Sequence, residues 1–218
     1  MSDRWATFDC YGTLIDWDAG IGDALAGICP GRGQDELLAA YHRAEPRIQA
    51  GSSLPYREVL AQAARAAAAE LGVELLPGAE QALALSLPAW PPFGEVPGAL
   101  AELRARGWRL AVLSNTDPEL LDASLTAIGV PVELTITVAD AGSYKPATGH
   151  WTAFRERSGA ARARHVHVAA SLFHDIEPCA VMGIRSVWIN RLGATSPVDR
   201  AGELQDLRGL PALLEQLD

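Results

Sequence analysis

The hydrophobic pattern of the chain changes character twice. A short apolar run at residues 5–8 ends in Asp9 and a Gly-Thr turn, which predicts a buried strand at the start of the chain. Roughly eighty residues of helical pattern follow, and from about residue 92 onward helical and strand-like segments alternate. This alternation predicts a parallel sheet with helices on both faces. We therefore expect an α/β fold: a doubly wound parallel sheet, or Rossmann-like core, with a helical cap inserted after the first strand.

The predicted boundaries follow Pro, Gly and Ser punctuation between the periodic segments. We assign residues 1–15 and 92–218 to an α/β core domain and residues 16–91 to a helical cap domain. The cap helices are predicted at 19–28, 34–49, 56–71 and 79–85. The core strands are predicted at 109–113, 132–138, 166–170 and 186–190, and the core helices at 97–106, from after 118 to about 128, 148–158 and 175–182.

Composition narrows the function. The 218 residues carry a formal net charge of −9, and their arginines are scattered, which argues against binding nucleic acid. No apolar run approaches the roughly 20 residues of a membrane span, and the N-terminus lacks a signal peptide, so we expect a cytoplasmic protein without membrane contact. Cys10, Cys29 and Cys179 are widely spaced, which favours free thiols in a reducing compartment. An apolar cap surface would suit a homodimer.

Polar side chains stand at the ends of the strands that we expect at the centre of the sheet. They are Asp9 and Thr13, Ser114 and Asn115, Ser143 and Lys145, and Ser171 and Asp175. Because parallel strands end at one edge of the sheet, these groups should converge there on a site for a small molecule. Lys145 beside Asp9 would keep that carboxylate ionised, which suits it to nucleophilic attack.

Four segments, in this order, resemble the signature segments of the haloacid dehalogenase superfamily. They are Asp9 to Thr13, Ser114-Asn115, Lys145-Pro146, and Ser171 with Asp175 four residues later. The resemblance covers essentially the whole chain, including the inserted cap. Within the superfamily the chain looks most like the L-2-haloacid dehalogenases (type II), through residues 8–14, 113–115, 143–146 and 188–191.

Two positions distinguish this branch from the phosphatases of the superfamily. Those enzymes place a proton-donating Asp two residues after the nucleophile, where this chain has Tyr11, and a halide leaves as a stable anion without such an acid. They also bind Mg²⁺ through an acidic residue at the position of Ser171. With only Asp9 and Asp175 left as carboxylates, the resemblance favours displacement at carbon without a metal.

The resemblance implies a catalytic role for five residues. Asp9 would attack the halogen-bearing carbon and form an aspartyl ester, which water then hydrolyses, with no cofactor. Thr13 and Ser114 would position the carboxylate. Lys145 would hold it charged, and Asp175 would orient or activate the water.

Substrate binding is implied at further positions, namely Tyr11, Asn115, Trp151 and Ser171, with Asn115 facing the halide. The substrate carboxylate needs a cation or backbone amides, and the cap offers Arg43 and Arg47, of which we favour Arg43. The alignment across this segment is ambiguous, and each arginine also suits an exposed helix surface.

The chain also departs from the dehalogenase pattern. Trp151 replaces an aromatic hydroxyl, and Ala170 and Leu172 replace Ser and Asn, so polar groups are lost where the hydrolytic water should lie. Either Ser171 or His174 compensates, or the substrate differs from simple chloro- and bromo-acids. The histidines at 165 and 167 alternate along a strand, and we expect them to face solvent or a helix.

Two alternatives remain open from the sequence. One is a Mg²⁺-dependent phosphatase of a small metabolite from the same superfamily. The other is a non-catalytic ligand-binding relic, which the apolar replacements at 151 and 172 would suit. The sequence does not specify the chain length, halogen or stereochemistry of the acid.

Overall fold

The sheet is the centre of the computed structural model, which describes residues 3–52 and 54–217. Within those residues it has six parallel strands: β1 (Trp5–Phe8), β2 (Arg109–Leu113), β3 (Leu134–Ile136), β4 (His165–Ala169), β5 (Arg185–Ile189) and β6 (Gly202–Leu204). Their order is β3-β2-β1-β4-β5-β6, with β1 paired to β2 and β4. The strand order reverses beside β1, and ligands bind at the carboxyl edge of such a switch point. The predicted Rossmann-like α/β fold is confirmed.

The first four helices follow β1 without an intervening strand, and from the fifth helix onward helices and strands alternate. In the described ranges they are α1 (Trp17–Ile28), α2 (Gln34–Gln49), α3 (Tyr56–Glu70), α4 (Ala82–Ser86), α5 (Val96–Ala105), α6 (Pro118–Ile128), α7 (Val138–Ala141), α8 (Gly149–Ser158), α9 (Glu177–Met182) and α10 (Leu210–Gln216). Short 3-10 turns at Ala79–Gln81 and Leu87–Ala89 flank α4. No helix in the part of the chain that is described combines the length and apolar character needed to cross a membrane.

Helices α2 and α3 pack through small and apolar side chains. The buried face of α3 is rich in alanine, including Ala63, Ala64 and Ala67. It faces Leu37 and Tyr41 of α2 within one continuous hydrophobic core. Small side chains let two helix backbones approach closely, so this alanine face holds α2 in place above the sheet edge.

The turn after β1 aims the site residues into the crevice. Gly12 adopts a φ of 84°, a conformation that L-residues other than Gly rarely adopt. The backbone N–H of Leu14 donates to the carbonyl of Cys10 at 2.7 Å and closes the turn. The hydroxyl of Thr13 is thereby brought back to the carboxylate of Asp9.

Three elements were absent from the sequence prediction: α7, β6 and α10. The helix predicted from residue 175 begins earlier, as a single wide π-type turn at Leu172–Ile176. The hydroxyl oxygen of Ser171 caps this turn by accepting from the backbone N–H of His174 at 3.1 Å. This turn places Asp175 at the carboxyl edge of β4, where it is fully buried. The three cysteines are buried free thiols, as expected.

Candidate active site

Asp9 lies one residue beyond the end of β1, at the carboxyl edge of the sheet. Its backbone N–H donates to the carbonyl of Val168 in β4 at 3.0 Å, which extends the ladder by one residue. Its Oδ2 accepts from the Thr13 hydroxyl at 2.9 Å. The same hydroxyl oxygen accepts from the backbone N–H of Ala170 at 2.9 Å, so the threonine proton is directed to Asp9. Asp9 is therefore held in one orientation.

Lys145 binds both carboxylates of the site. Its Nζ donates to Asp9 Oδ1 at 2.8 Å, to Asp175 Oδ1 at 2.7 Å and to the carbonyl oxygen of Leu113 at 2.9 Å. These three acceptors use all three ammonium protons. Burial alone would lower the pKa of Lys145, but the carboxylates of Asp175 and Asp9 hold it above its ordinary value. A permanent positive charge therefore stands beside the expected nucleophile.

Asp175 has a second buried partner that the sequence prediction did not include. Nε2 of His167 lies 2.9 Å from Asp175 Oδ1, and a carboxylate only accepts, so this nitrogen carries the hydrogen. Burial would raise the pKa of Asp175, but Lys145 and His167 hold it well below its ordinary value. The other oxygen, Asp175 Oδ2, is buried without a hydrogen-bond partner among the described residues. Of the two carboxylate oxygens of Asp175, Oδ2 is therefore the one still able to accept a hydrogen bond.

A chain of polar groups continues behind His167. The hydroxyl oxygen of Thr7 lies 2.8 Å from His167 Nδ1 and 2.7 Å from His165 Nε2. The Thr7 hydroxyl therefore links the two imidazole rings behind Asp175. Both histidines are buried against aromatic side chains of α8, so of the two expected environments, solvent or a helix, they face the helix.

Asn115 joins the end of β2 to the Lys145 loop. Its Oδ1 accepts from the backbone N–H of Lys145 at 2.6 Å, and its Nδ2 donates to the Lys145 carbonyl at 3.1 Å and to Gln49 Oε1 at 3.4 Å. Beside it, the buried hydroxyl of Ser114 has no partner within residues 3–52 and 54–217. Asn115 thus fixes the loop that carries Lys145, while the Ser114 hydroxyl remains available.

These residues enclose a cavity of about 210 Å³ between the sheet edge and α2. The core side chains that line it are Asp9, Tyr11, Ser114, Asn115, Lys145, Ser171, His174 and Asp175, and the inserted helices add Trp17, His42, Glu45, Pro46, Gln49 and Tyr56. A neighbouring cleft of about 620 Å³ is lined by Ala170 and Leu172, and shares Tyr11 and His42 with the cavity. The apolar replacements at 170 and 172 therefore face this cleft.

Tyr11 shapes the cavity through its ring. The ring stacks on that of Tyr56 with centroids 6.3 Å apart. Its hydroxyl contacts the Ser124 hydroxyl at 3.1 Å and the Leu120 carbonyl at 3.4 Å on α6. Burial raises the pKa of the phenol well above its ordinary value. The position two residues after Asp9 therefore offers no acidic proton to a leaving group.

Two residues expected in the pocket lie elsewhere, and both expectations are corrected. Arg43 is exposed and pairs with Glu70, because it lies on the outer side of α2. Trp151 is buried in α8, where its ring meets that of His167 edge-on at 5.4 Å. It packs behind Asp175 in place of lining the cavity. Arg47 is also exposed and does not line the cavity.

Sequence reasoning missed the cap residues that do line the cavity. His42 lies three and four residues before Glu45 and Pro46, and Gln49 lies four and three residues after them, so all four share one face of α2. The side-chain amide of Gln49 donates to Glu45 Oε1. That periodicity was visible in the sequence. A second missed signal was the pair of histidines in an otherwise apolar core strand.

The donor set does not fit a divalent metal. Among the described residues no cluster of three or more His, Cys, Asp or Glu side chains is placed to hold a metal ion. The two carboxylates that face each other at the site are already bridged by the Lys145 ammonium, which takes the place a cation would need. Hard cations such as Mg²⁺ also require more oxygen ligands than this pair supplies.

Known proteins match the chain over most of its length. A family model described as haloacid dehalogenase-like hydrolase matches residues 4–183. Haloacetate dehalogenase H-2 of Moraxella sp. (strain B) is 31% identical over 205 residues, 91% of this chain and 90% of that protein. The (S)-2-haloacid dehalogenase of Pseudomonas sp. (strain YL) is 30% identical over 193 residues, 85% and 82% of the two chains. The crystal structure of the L-2-haloacid dehalogenase RSc1362 aligns with a TM-score of 0.88 at 26% identity, covering 99% of this chain and 100% of that one.

Proposed function

Because the chain belongs to the haloacid dehalogenase-like hydrolases, we propose that it hydrolyses the carbon–halogen bond of small 2-halocarboxylic acids. Two curated relatives at 30% identity or above carry dehalogenase names. The observation that carries the proposal is the Lys145 ammonium bound between Asp9 and Asp175. It sets a positive charge against the carboxylate of Asp9, at a site where the described residues form no metal-binding cluster and position 11 is a tyrosine.

In the first step Asp9 displaces the halide. A carboxylate oxygen of Asp9 forms a bond to the halogen-bearing carbon, and the halide leaves with the electron pair of the broken bond. The product is an aspartyl ester. Thr13 and Lys145 hold the carboxylate by hydrogen bonds at 2.9 and 2.8 Å, so the attacking group is oriented before substrate arrives. Halide needs no proton, which agrees with a hydrogen-bonded phenol at Tyr11.

In the second step water attacks the aspartyl carbonyl. The ester bond between the carbonyl carbon and the product oxygen breaks, the second proton of the water passes to that oxygen to give the 2-hydroxy acid, and Asp9 is regenerated as a carboxylate with one oxygen from water. Asp175 is a weak base, because Lys145 and His167 depress its pKa, so its free Oδ2 serves to orient the water. The proton goes instead to a neighbouring base.

His174 is that base. It lines the cavity together with Asp9 and Asp175. Burial lowers the pKa of His174 below its ordinary value, so the imidazole is neutral near pH 7. Its Nδ1 lies 3.1 Å from the Ser171 hydroxyl, which orients the ring. Ser171 and His174 thus compensate for the polar side chains that Ala170 and Leu172 replace.

Residues 16–91 form, in this proposal, the cap that closes the site from above. Ser114 and Asn115 face the substrate or departing halide, with the unpartnered Ser114 hydroxyl as the available donor. The phosphatase alternative needs a metal ion that the described donor set does not fit. The alternative of a non-catalytic ligand-binding relic gains no support from a specific observation. A cytoplasmic location and a homodimer remain predictions from the sequence.

The test is halide release in the presence of a chelator. Chloroacetate, both enantiomers of 2-chloropropionate and fluoroacetate are the substrates, and Asp9→Asn should abolish release. Asp35→Asn is the matched control, since Asp35 is exposed in the first turn of α2. A single turnover in ¹⁸O water should place the label in Asp9. Wild-type protein that releases no halide from any of these acids would refute the proposal, and chelator-sensitive hydrolysis of an aryl phosphate would favour the phosphatase.

A further inference from the structure

The cavity wall opposite the sheet contains a buried carboxyl group that the proposed reaction does not use. Glu45 is 3% exposed and lines the cavity that holds Asp9. The amide of Gln49 donates to its Oε1, and Gln49 Oε1 in turn accepts from Asn115 Nδ2 at 3.4 Å. Glu45 is therefore fixed at the cavity wall by a chain that runs from the cap to the sheet edge. Such a carboxyl group is unexpected in a pocket for an anionic substrate.

Positive charge that could balance a substrate anion is scarce in this cavity. No arginine of the described chain lines it. The Lys145 ammonium already binds Asp9 and Asp175. His42 Nε2 lies 3.0 Å from Asp18 Oδ1, and its side chain is 40% exposed at the cavity mouth. A 2-halocarboxylate beside an ionised Glu45 would place two like charges in about 210 Å³ without a free cation.

Two carboxyl groups that face each other are accommodated by sharing one proton. The groups that face Glu45 permit this. They are Tyr41 and His42 on α2, Tyr56 on α3 and Tyr144 beside the Lys145 loop, none of which is a permanent cation. Burial raises the pKa of Glu45 to about 7, although His42 and a hydrogen bond from Tyr56 act against it. Near neutral pH the free protein therefore holds this proton part of the time.

We propose that Glu45 determines specificity by donating a hydrogen bond, in its protonated form, to the carboxylate of the bound 2-haloacid. Glu45 and the substrate then form a hydrogen-bonded pair, in which the Glu45 carboxylic acid donates the proton and the substrate carboxylate carries the negative charge. This inference rests on the proposed function and names the group that recognises the substrate's carboxyl end. A neutral 2-haloamide, whose NH₂ group donates, is instead matched by the ionised form of Glu45.

The two forms predict opposite pH dependence for matched substrates. For 2-chloropropionate, kcat/KM should fall about tenfold between pH 6 and pH 8, as one essential proton is lost. For 2-chloropropionamide, kcat/KM should rise over the same range. In Glu45→Gln the side chain donates at every pH, so the slope for the acid should disappear. Glu36→Gln, an exposed change on the same helix, should keep both slopes.

His42 is the other ionisable side chain of α2 that lines the cavity beside Glu45, and a second variant separates the two. His42→Gln should retain the tenfold fall if Glu45 is responsible, and should flatten it if His42 is. A fall that persists in Glu45→Gln, or a flat profile in the wild type, would overturn the proposal.

A binding measurement keeps the inference independent of turnover. Calorimetric titration with propionate in buffers of different ionisation enthalpy should show proton uptake on binding near pH 7.5 in the wild type, and none in Glu45→Gln. Binding without proton uptake overturns the role of Glu45 even in a protein that releases halide. Proton uptake without halide release leaves the role of Glu45 standing and refutes the proposed function.

Discussion

His167 and Asp175 form a hydrogen bond of 2.9 Å inside the core, with both side chains shielded from solvent. His167 approaches from the middle of β4, whereas Asp175 comes from the π-type turn that follows the same strand. The bond therefore ties the turn back to the strand that precedes it. It also shares Asp175 Oδ1 with Lys145, which leaves Oδ2 as the oxygen without a hydrogen-bond partner among the described residues.

Removing the His167 N–H should slow ester hydrolysis more than ester formation. In His167→Leu, Asp175 keeps Lys145 but loses the contact that fixes the plane of its carboxylate. We expect kcat to fall by about tenfold or more and KM to fall with it, so that kcat/KM changes little, and the free energy of unfolding to fall by about 1–3 kcal/mol. Rapid-quench mass spectrometry should detect the accumulated aspartyl ester.

His165→Gln is the matched control for that variant. It changes the histidine on the far side of Thr7 and leaves the hydrogen bond between His167 and Asp175 intact. It should accumulate no ester. Equal ester levels in the two variants would show that the His167 contact with Asp175 has no effect of its own on ester hydrolysis.

Lys145 is the only lysine in the sequence, and its replacement should lower both the activity and the stability of the protein. Lys145→Met leaves Asp9 and Asp175 buried without their shared cation, so kcat/KM should fall at least about a hundredfold. The free energy of unfolding should fall by about 3–5 kcal/mol, the cost of breaking a buried ion pair. Halide-release assays and urea denaturation measure the two effects.

A second substitution tests this explanation of the stability loss. Adding Asp175→Asn to Lys145→Met removes one of the uncompensated charges, so the double variant should regain stability and remain inactive. A double variant as unstable as Lys145→Met alone would show that packing of the lysine stem, and not charge, is what the fold requires.

The three residues at the centre of the site were accessible from the sequence. Asp9, Lys145 and Asp175 each follow a strand, and a parallel sheet brings strand ends to one edge irrespective of side-chain detail. The packing behind them was not accessible, since the pairing of Thr7 with His165 and His167 depends on the register between β1 and β4.

The cap shows where sequence reasoning lost precision. Successive residues of an α-helix point about 100° apart, so an error of one position moves a side chain off the cavity face. Arg43 follows directly after His42, and His42 lies on the stripe with Glu45 and Gln49. The positive charge of Arg43 favoured it as the partner of the substrate carboxylate, but the orientation of α2 places His42 on the cavity in its stead. Trp151 misses the cavity for a different reason, because its ring is buried in α8 against the ring of His167.

Arg43 should therefore be dispensable for binding. Its guanidinium pairs with Glu70 on the outer surface of the cap, so Arg43→Gln should leave KM for 2-chloropropionate within about twofold of the wild type. Steady-state kinetics at two salt concentrations will check this. A large rise in KM would restore Arg43 as the carboxylate ligand and require α2 to rotate when substrate binds.

Buried histidines should make the fold sensitive to mild acid. Burial lowers the pKa of His150 to about 4, and its Nε2 donates to the carbonyl of Ser114 at 3.0 Å. The unfolded chain takes up this proton first, because its histidine titrates near its ordinary value. Stability from His150 is thus complete above about pH 6.5 and is lost as the pH falls toward 4, by about 2 kcal/mol between pH 7 and pH 5.

His150→Gln tests that contribution, since Gln can still donate to the Ser114 carbonyl but does not titrate. Glu45 has a raised pKa and gives the opposite slope in the same pH window, so the informative quantity is the difference between variant and parent. Urea denaturation at pH 7, 6 and 5 should show that difference shrinking as the pH falls. A difference that stays constant between pH 7 and pH 5 would show that His150 has the same pKa in the folded and the unfolded chain, and would contradict a pKa lowered by burial.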